Sequence, residues 1–287
     1  MSNITCLPPD EQRSIMSQLQ AKAIEWNVRL EETRETPTSL LGFGVRDHAR
    51  VVLKMTKQHG DESHSGEVLQ AYAGDGAVRV YECEVGAVLL ECLEPGEQLV
   101  NVVKRGEDDL ATAILAEVIA KLADHKAPGG CPTVADWGRG FDRYLQTGDE
   151  QISREVVEEA REMYQQLVST QHKTMLLHGD LQHYNVLLDR ERGWIAIDPK
   201  GVIGELEYEL CALLRNPMEL PEVFADPLTI KRRLDLLTTT LGLDYSRALR
   251  WSYSQSILSA LWDIEDGHPL SLNNPSLLLA RTLKQLL

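Results

Sequence analysis

The alternation of polar and apolar residues changes rhythm twice along this chain. Behind Pro8-Pro9-Asp10, apolar residues recur at helical spacing, with Ile15, Leu19 and Ala23 on one face. From Trp26 the period shortens to two, and residues 26–32, 40–46 and 49–56 read as strands. Glu35-Thr36-Pro37-Thr38-Ser39 makes a turn between the first two strands, and Asp47-His48 joins the next pair. Residues 65–72 are patterned as a helix. Residues 76–82 and 86–93 read as two further strands, ending at Glu94-Pro95-Gly96. After Asp108 the helical period returns. Leu110, Ile114, Leu115, Val118, Ile119 and Leu122 form one stripe, with Asp108 or Asp109 as its cap. Residues 137–145, 154–171, 207–215, 228–241, 245–263 and 275–286 continue in the same manner. The pattern predicts an α+β protein of two lobes, a β-rich N-terminal lobe over residues 1–94 and a mainly helical C-terminal lobe over 95–287.

One short stretch breaks the helical half. Val186-Leu187-Leu188 and Trp194-Ile195-Ala196-Ile197 are apolar runs joined by Asp189-Arg190-Glu191-Arg192-Gly193, which predicts a β-hairpin. His178-Gly179-Asp180 precedes it, with Asn185 between that turn and the hairpin. Asp198 follows it, at a strand end that Pro199 closes. Phosphoryl transfer from ATP needs an aligned hydroxyl and neutralised phosphate charge more than covalent chemistry. Asn185 and Asp198 offer the hard oxygen donors that magnesium takes. Asp180 would accept a hydrogen bond from the incoming hydroxyl and take its proton late. Phosphotransferases of the protein-kinase fold use such a set.

The N-terminal lobe offers matching candidates for the nucleotide. Val51-Val52-Leu53-Lys54 reads as a strand whose lysine contacts the α- and β-phosphates as a point charge. Glu67 is its expected acidic partner, with Glu62 as second choice. No GxGxxG lies between the first two strands. Gly42 and Gly44 read as glycines required by packing, and Thr36, Thr38 and Ser39 as alternative donors to phosphate. Glu91 and Leu93 stand where main-chain groups of a kinase hinge would bond adenine.

Composition narrows the partner. The hydrophobic fraction of 43% supports a sizeable core, and the net charge of −15 argues against nucleic acid while favouring a cationic small molecule. No apolar run approaches membrane-spanning length. The opening residues lack a signal-peptide pattern, and the 5 cysteines, without CxxC spacing, read as reduced thiols of the cytoplasm. No feature specifies an oligomeric state. A cationic acceptor would need carboxylates, and Glu205, Asp263, Glu265 and Asp266 are the candidates.

The segments LHGDLQHYNVL and GWIAIDPKGVIGE, and more weakly LSALWDIEDG, carry a family likeness. The chain resembles the aminoglycoside phosphotransferases, and among them the branch of streptomycin 6-phosphotransferase and hydroxyurea phosphotransferase. The resemblance implies a two-lobed protein-kinase-like fold that uses ATP and Mg2+, with Asp180 as catalytic base and Asn185 and Asp198 as metal ligands. Gln182, Tyr184 and Lys200 depart from the branch's usual residues, a difference that bears on the acceptor and leaves the phosphate chemistry intact. The expected activity is phosphorylation of a hydroxyl of a streptomycin-like aminoglycoside, which inactivates the antibiotic. The alternatives are a kinase of hydroxyurea or of a metabolite, and a nucleotide-binding protein without catalysis. Retention of Lys54, Asp180, Asn185 and Asp198 counts against the last.

Overall fold

The computed structural model describes residues 9–57, 64–268, 270–271 and 273–287. The chain forms two compact units, one of residues 1–97 and 187–200, the other of 98–186 and 201–287. The expected boundary after residue 94 placed the hairpin with the helices; here the hairpin groups with the β-rich unit. In chain order the first unit contributes α1 (Pro9–Glu25), β1 (Arg29–Glu35), β2 (Ser39–Arg46), β3 (Ala49–Thr56), α2 (Ser65–Tyr72), β4 (Val80–Glu84), β5 (Ala87–Glu91) and β6 (Pro95–Gln98). The second unit follows with α3 (Val100–Lys104), α4 (Asp108–Leu122), α5 (Val134–Trp137), α6 (Arg139–Thr147), α7 (Arg154–Ser169) and β7 (Met175–Leu177). The hairpin is β8 (Val186–Asp189) and β9 (Gly193–Ala196). The second unit is completed by β10 (Val202–Gly204), α8 (Leu206–Leu214), α9 (Pro221–Phe224), α10 (Pro227–Leu241), α11 (Tyr245–Glu265) and α12 (Pro275–Leu286).

The first unit is built on an antiparallel sheet in the order β1-β2-β3-β5-β4. Alternation along β3 sends Val51, Leu53 and Met55 into a core with Ile15, Leu19 and Ala23 of α1 and Leu89 of β5. Lys54 therefore points to the opposite face, where it is still only 7% exposed. Gly44 is needed for close approach, since a Cβ there would lie 2.4 Å from the Arg29 carbonyl oxygen. The first strand begins later than its sequence pattern, at Arg29, because Trp26 and Val28 are buried in the corner that leads from α1.

The hairpin β8–β9 joins β6 in a separate three-stranded sheet. Its turn is closed by Asp189 Oδ1, which accepts the Glu191 and Arg192 N–H groups at 3.0 and 2.9 Å. Arg192 donates from that turn to the Glu91 carboxylate on β5 and to the Gly74 and Ala77 carbonyls. The end of β9 is fixed to the segment just before β4 by Ala196 N–H to Gly76 O at 2.8 Å and Val78 N–H to Ala196 O at 2.9 Å. Two residues beyond this anchor comes Asp198.

The second unit packs its helices around α11, whose residues 251–261 are all buried. Trp251 meets Tyr164 of α7 and Tyr208 of α8 edge to face, with ring centroids 4.9 and 5.1 Å apart. Ile114, Leu115, Val118, Ile119 and Leu122 of the stripe expected along α4 are buried, while Leu110 is exposed and Ala111 and Thr112 turn inward beside the others. Nor does Asp108 cap α4. Its carboxylate takes the Nε–H of buried Arg233 at 3.2 Å and also bonds Arg232, and these guanidinium partners hold it below the usual carboxylate range against the opposing effect of burial.

His183 lies close to that pair with no exposed surface, and neither ring nitrogen has a hydrogen-bond partner among the described residues. Burial, with Arg233 adding to it, pushes its pKa down to about 3. An unfolded chain would protonate the same residue near pH 6.5. Between pH 6.5 and about 3 the unfolded state thus binds a proton that the folded state refuses, and stability falls as pH falls through this window. His183→Leu removes the titration and breaks no hydrogen bond. Urea unfolding at pH 7.5 and pH 5 should show the wild type losing about 1–2 kcal/mol more than the variant. Equal losses would show that His183 does not drive acid lability.

Candidate active site

In the second unit, β7 and β10 pair antiparallel, with Val202 opposite Leu177. His178-Gly179-Asp180 leaves the end of β7, and the Gly201 N–H closes back on the His178 carbonyl at 3.0 Å. Gly179 has φ +78°, and a Cβ there would stand 2.9 Å from the Trp137 ring. The sharp turn and the neighbouring indole therefore both demand glycine. His178 is 1% exposed, and its Nδ1 accepts the Asp180 N–H at 3.3 Å, which agrees with a structural role for its ring.

Beneath the turn sits Glu209 of α8. Its carboxylate accepts the His178 N–H at 2.7 Å and the Gly179 N–H at 3.2 Å. Burial pushes the Glu209 carboxyl up to about 8, against the pull of these donors. Sequence reasoning missed Glu209. Its signal was an acid inside the apolar run Leu206-Glu207-Tyr208-Glu209-Leu210-Cys211, where no solvent face excuses a second charge.

Asp180 itself is partly exposed, with 23% of its side chain accessible. Asn185 Nδ2 donates to the Asp180 carbonyl at 2.9 Å and lies 3.4 Å from its Oδ2. That bond fixes the amide, and no described residue donates to the Asn185 Oδ1, which is left available as an oxygen donor. A further cation that the sequence did not single out, Arg215, places its Nη2 3.9 Å from Asp180 Oδ1.

In the first unit, Lys54 Nζ contacts Asp198 Oδ1. Asp198 has φ +60°, the left-handed region that aspartate tolerates better than most residues. The strand anchor described above fixes the chain two residues before it, and the left-handed backbone is kept although a residue before proline ordinarily favours an extended one.

Several candidates sit elsewhere than expected. Glu67 turns to His64, 3.2 Å away, and Asp198 is a partner of Lys54 among the described residues. Glu62 lies outside the described residues. Ser39 is 1% exposed and its N–H bonds Thr36 Oγ1 at 2.9 Å, while its hydroxyl meets no described partner; Thr38 remains on the surface. The Glu91 N–H is already bonded to the Arg79 carbonyl at 3.0 Å, whereas the main-chain N–H and C=O of Leu93 meet no described partner. Glu205 is 2% exposed and its carboxylate is taken by Arg247 and the Trp251 indole, so it is interior scaffolding and not a surface carboxylate. Glu265 is held by Arg143 through two bonds of 2.9 Å, and Asp263 accepts from Asn274 at 2.7 Å. Asp266 alone of this group is exposed without a side-chain partner among the described residues.

Residues 27–267 match the sequence family described as aminoglycoside/hydroxyurea antibiotic resistance kinase. The chain belongs to this kinase family. A streptomycin 3''-kinase of Klebsiella pneumoniae is 32% identical over 216 residues, which covers 72% of this chain and 77% of that one. A streptomycin 6-kinase of Streptomyces glaucescens is 31% identical over 245 residues, covering 83% and 78%. Among solved structures, a choline/ethanolamine kinase family protein from Mesorhizobium loti aligns with a TM-score of 0.68 at 14% identity, covering 96% of this chain and 93% of that one. A thermostable mutant aminoglycoside phosphotransferase in ternary complex with ADP and hygromycin B aligns at 0.63 and 14%, covering 93% and 98%. These structures establish the protein-kinase-like fold, with its β-rich and helical lobes. Among the described residues no helix is long and apolar enough to cross a membrane.

Proposed function

We propose that this kinase transfers the γ-phosphate of ATP to a hydroxyl of a cationic aminoglycoside of the streptomycin type, in the cytoplasm. The observation that carries the reading is the Asp180 carboxylate, half-open at a turn that Glu209 and Asn185 hold from two sides. The acceptor O–H donates to Asp180 and passes its proton there. The new O–P bond forms as the bond from the γ-phosphorus to its bridging oxygen breaks, and ADP leaves. Lys54 steadies the α- and β-phosphates, and the free main-chain groups of Leu93 bond adenine. Asn185 and Asp198 supply amide and carboxylate oxygens, the donor type that suits magnesium. Bound magnesium would offset the phosphate charge. Among the described residues no group of three or more His, Cys, Asp or Glu side chains is placed to hold a metal. Phosphate oxygens and water would complete the set, as they commonly do around magnesium.

The relatives named for 3''- and 6-phosphorylation of streptomycin are nearly equal in identity, so the position phosphorylated is not carried over from either. A second reading has its own support. Glu205, Asp263 and Glu265 are already engaged, which favours a smaller, less charged acceptor such as hydroxyurea or a metabolite alcohol. The test is ADP release with Mg-ATP and, separately, streptomycin, other aminoglycosides and hydroxyurea. Stimulation by streptomycin alone supports the first reading, and stimulation by hydroxyurea alone supports the second. Silence across the panel overturns both acceptor assignments.

A further inference from the structure

We propose that Arg215 is a positioning residue for this transfer, holding the Asp180 carboxylate in its working orientation from the C-terminal end of α8. The inference rests on Asp180 being the base. Arg215 follows α8 directly, and its side chain is only 14% exposed. Its Nη1 donates to Gln255 Oε1 at 3.3 Å, and Gln255, on α11, is itself 3% exposed. The guanidinium is therefore held by the buried stretch 251–261 of α11. Its Nη2 stands 3.9 Å from Asp180 Oδ1, while Oδ2 faces Asn185 at 3.4 Å.

Each carboxylate oxygen thus faces a different group, and neither is consumed. A bidentate arginine pair with two bonds near 2.8 Å would fill the lone pairs that a hydroxyl donor needs. At 3.9 Å the cation orients the charge and leaves Oδ1 free to accept. The same helix carries Glu209, which holds the His178 and Gly179 N–H groups. One helix therefore fixes the turn at two points, its main chain through Glu209 and its charged side chain through Arg215. Lysine would keep the charge and lose the planar fork that reaches Gln255 and Asp180 together.

The test uses the full chain with Mg-ATP and the acceptor that the panel identifies, or slow transfer to water if none does. Arg215→Ala should lower kcat about 10- to 100-fold with the KM for ATP changed less than about threefold. Arg215→Lys should recover part of the loss. Added guanidinium ion at millimolar concentration should restore Arg215→Ala but not Asp180→Asn. An unchanged kcat in Arg215→Ala, with Asp180→Asn silent, overturns the role of Arg215 and leaves the base in place. Near-normal turnover in Asp180→Asn overturns the base assignment itself. A second readout needs no acceptor. The Tm loss caused by Arg215→Met should be smaller in an Asp180→Asn background than in the wild type, and equal losses would show that the two side chains are not coupled.

Discussion

Asp180→Asn is expected to lower kcat about 10³-fold while leaving the affinity for Mg-ATP within about threefold of the wild type. The substitution is nearly isosteric, and the contacts that shape the turn survive it. Asn185 bonds the Asp180 main-chain carbonyl at 2.9 Å, and Glu209 bonds the His178 and Gly179 N–H groups, so none of these depends on the carboxylate. What is lost is an anionic acceptor for the hydroxyl proton. In a loose transition state the nucleophile is little advanced, so the carboxylate acts more by aligning the hydroxyl than by basicity. The loss should accordingly appear in kcat and much less in nucleotide binding. Isothermal titration with Mg-ATP and single-turnover kinetics separate the two. If single turnovers of Asp180→Asn run at near wild-type rate, some other group orients the acceptor.

How far the sequence reached can be judged at particular residues. The period-two alternation of β3 already separated Val51, Leu53 and Met55 from Lys54, because strand geometry alone assigns faces. The spacing from Asp180 through Asn185 and the hairpin to Asp198 was equally legible, since turn residues and apolar runs mark it locally. β7 and β10 were not legible. They are three residues each, too short to display a period, and they exist because Leu177 and Val202 meet across the unit. Charged residues were the least readable. Glu205 and Glu67 were assigned by proximity in sequence to the chemistry, but each partner was decided by packing: Arg247 and Trp251 for Glu205, His64 for Glu67. Arg215 and Glu209 escaped notice for the converse reason. A single charge on a helix says nothing of the turn it faces until the long-range packing of that helix is known.

Asp198 supports the second large effect. Asp198→Ala and Asp198→Asn should both abolish turnover, and both should lose at least about 100-fold in magnesium-dependent affinity for ATP. Their stabilities should differ. Asp198 sits at φ +60°, where asparagine is tolerated and alanine is strained by about 1 kcal/mol. The carboxylate also faces Lys54, which is 7% exposed, and either substitution removes one ionic partner of that ammonium. Loss of a fully buried partner costs about 3–5 kcal/mol. The Asp198 side chain is 37% exposed, so solvent screens the pair, and about 1 kcal/mol is the expected penalty common to both variants. Asparagine should therefore unfold at a midpoint between wild type and alanine, while both are equally dead in catalysis. Titration of ATP with and without magnesium, beside urea unfolding, reads the two quantities apart. If ATP binding by either variant stayed magnesium-dependent at wild-type affinity, Asp198 would be a strand-end anchor for Lys54 and not a metal ligand.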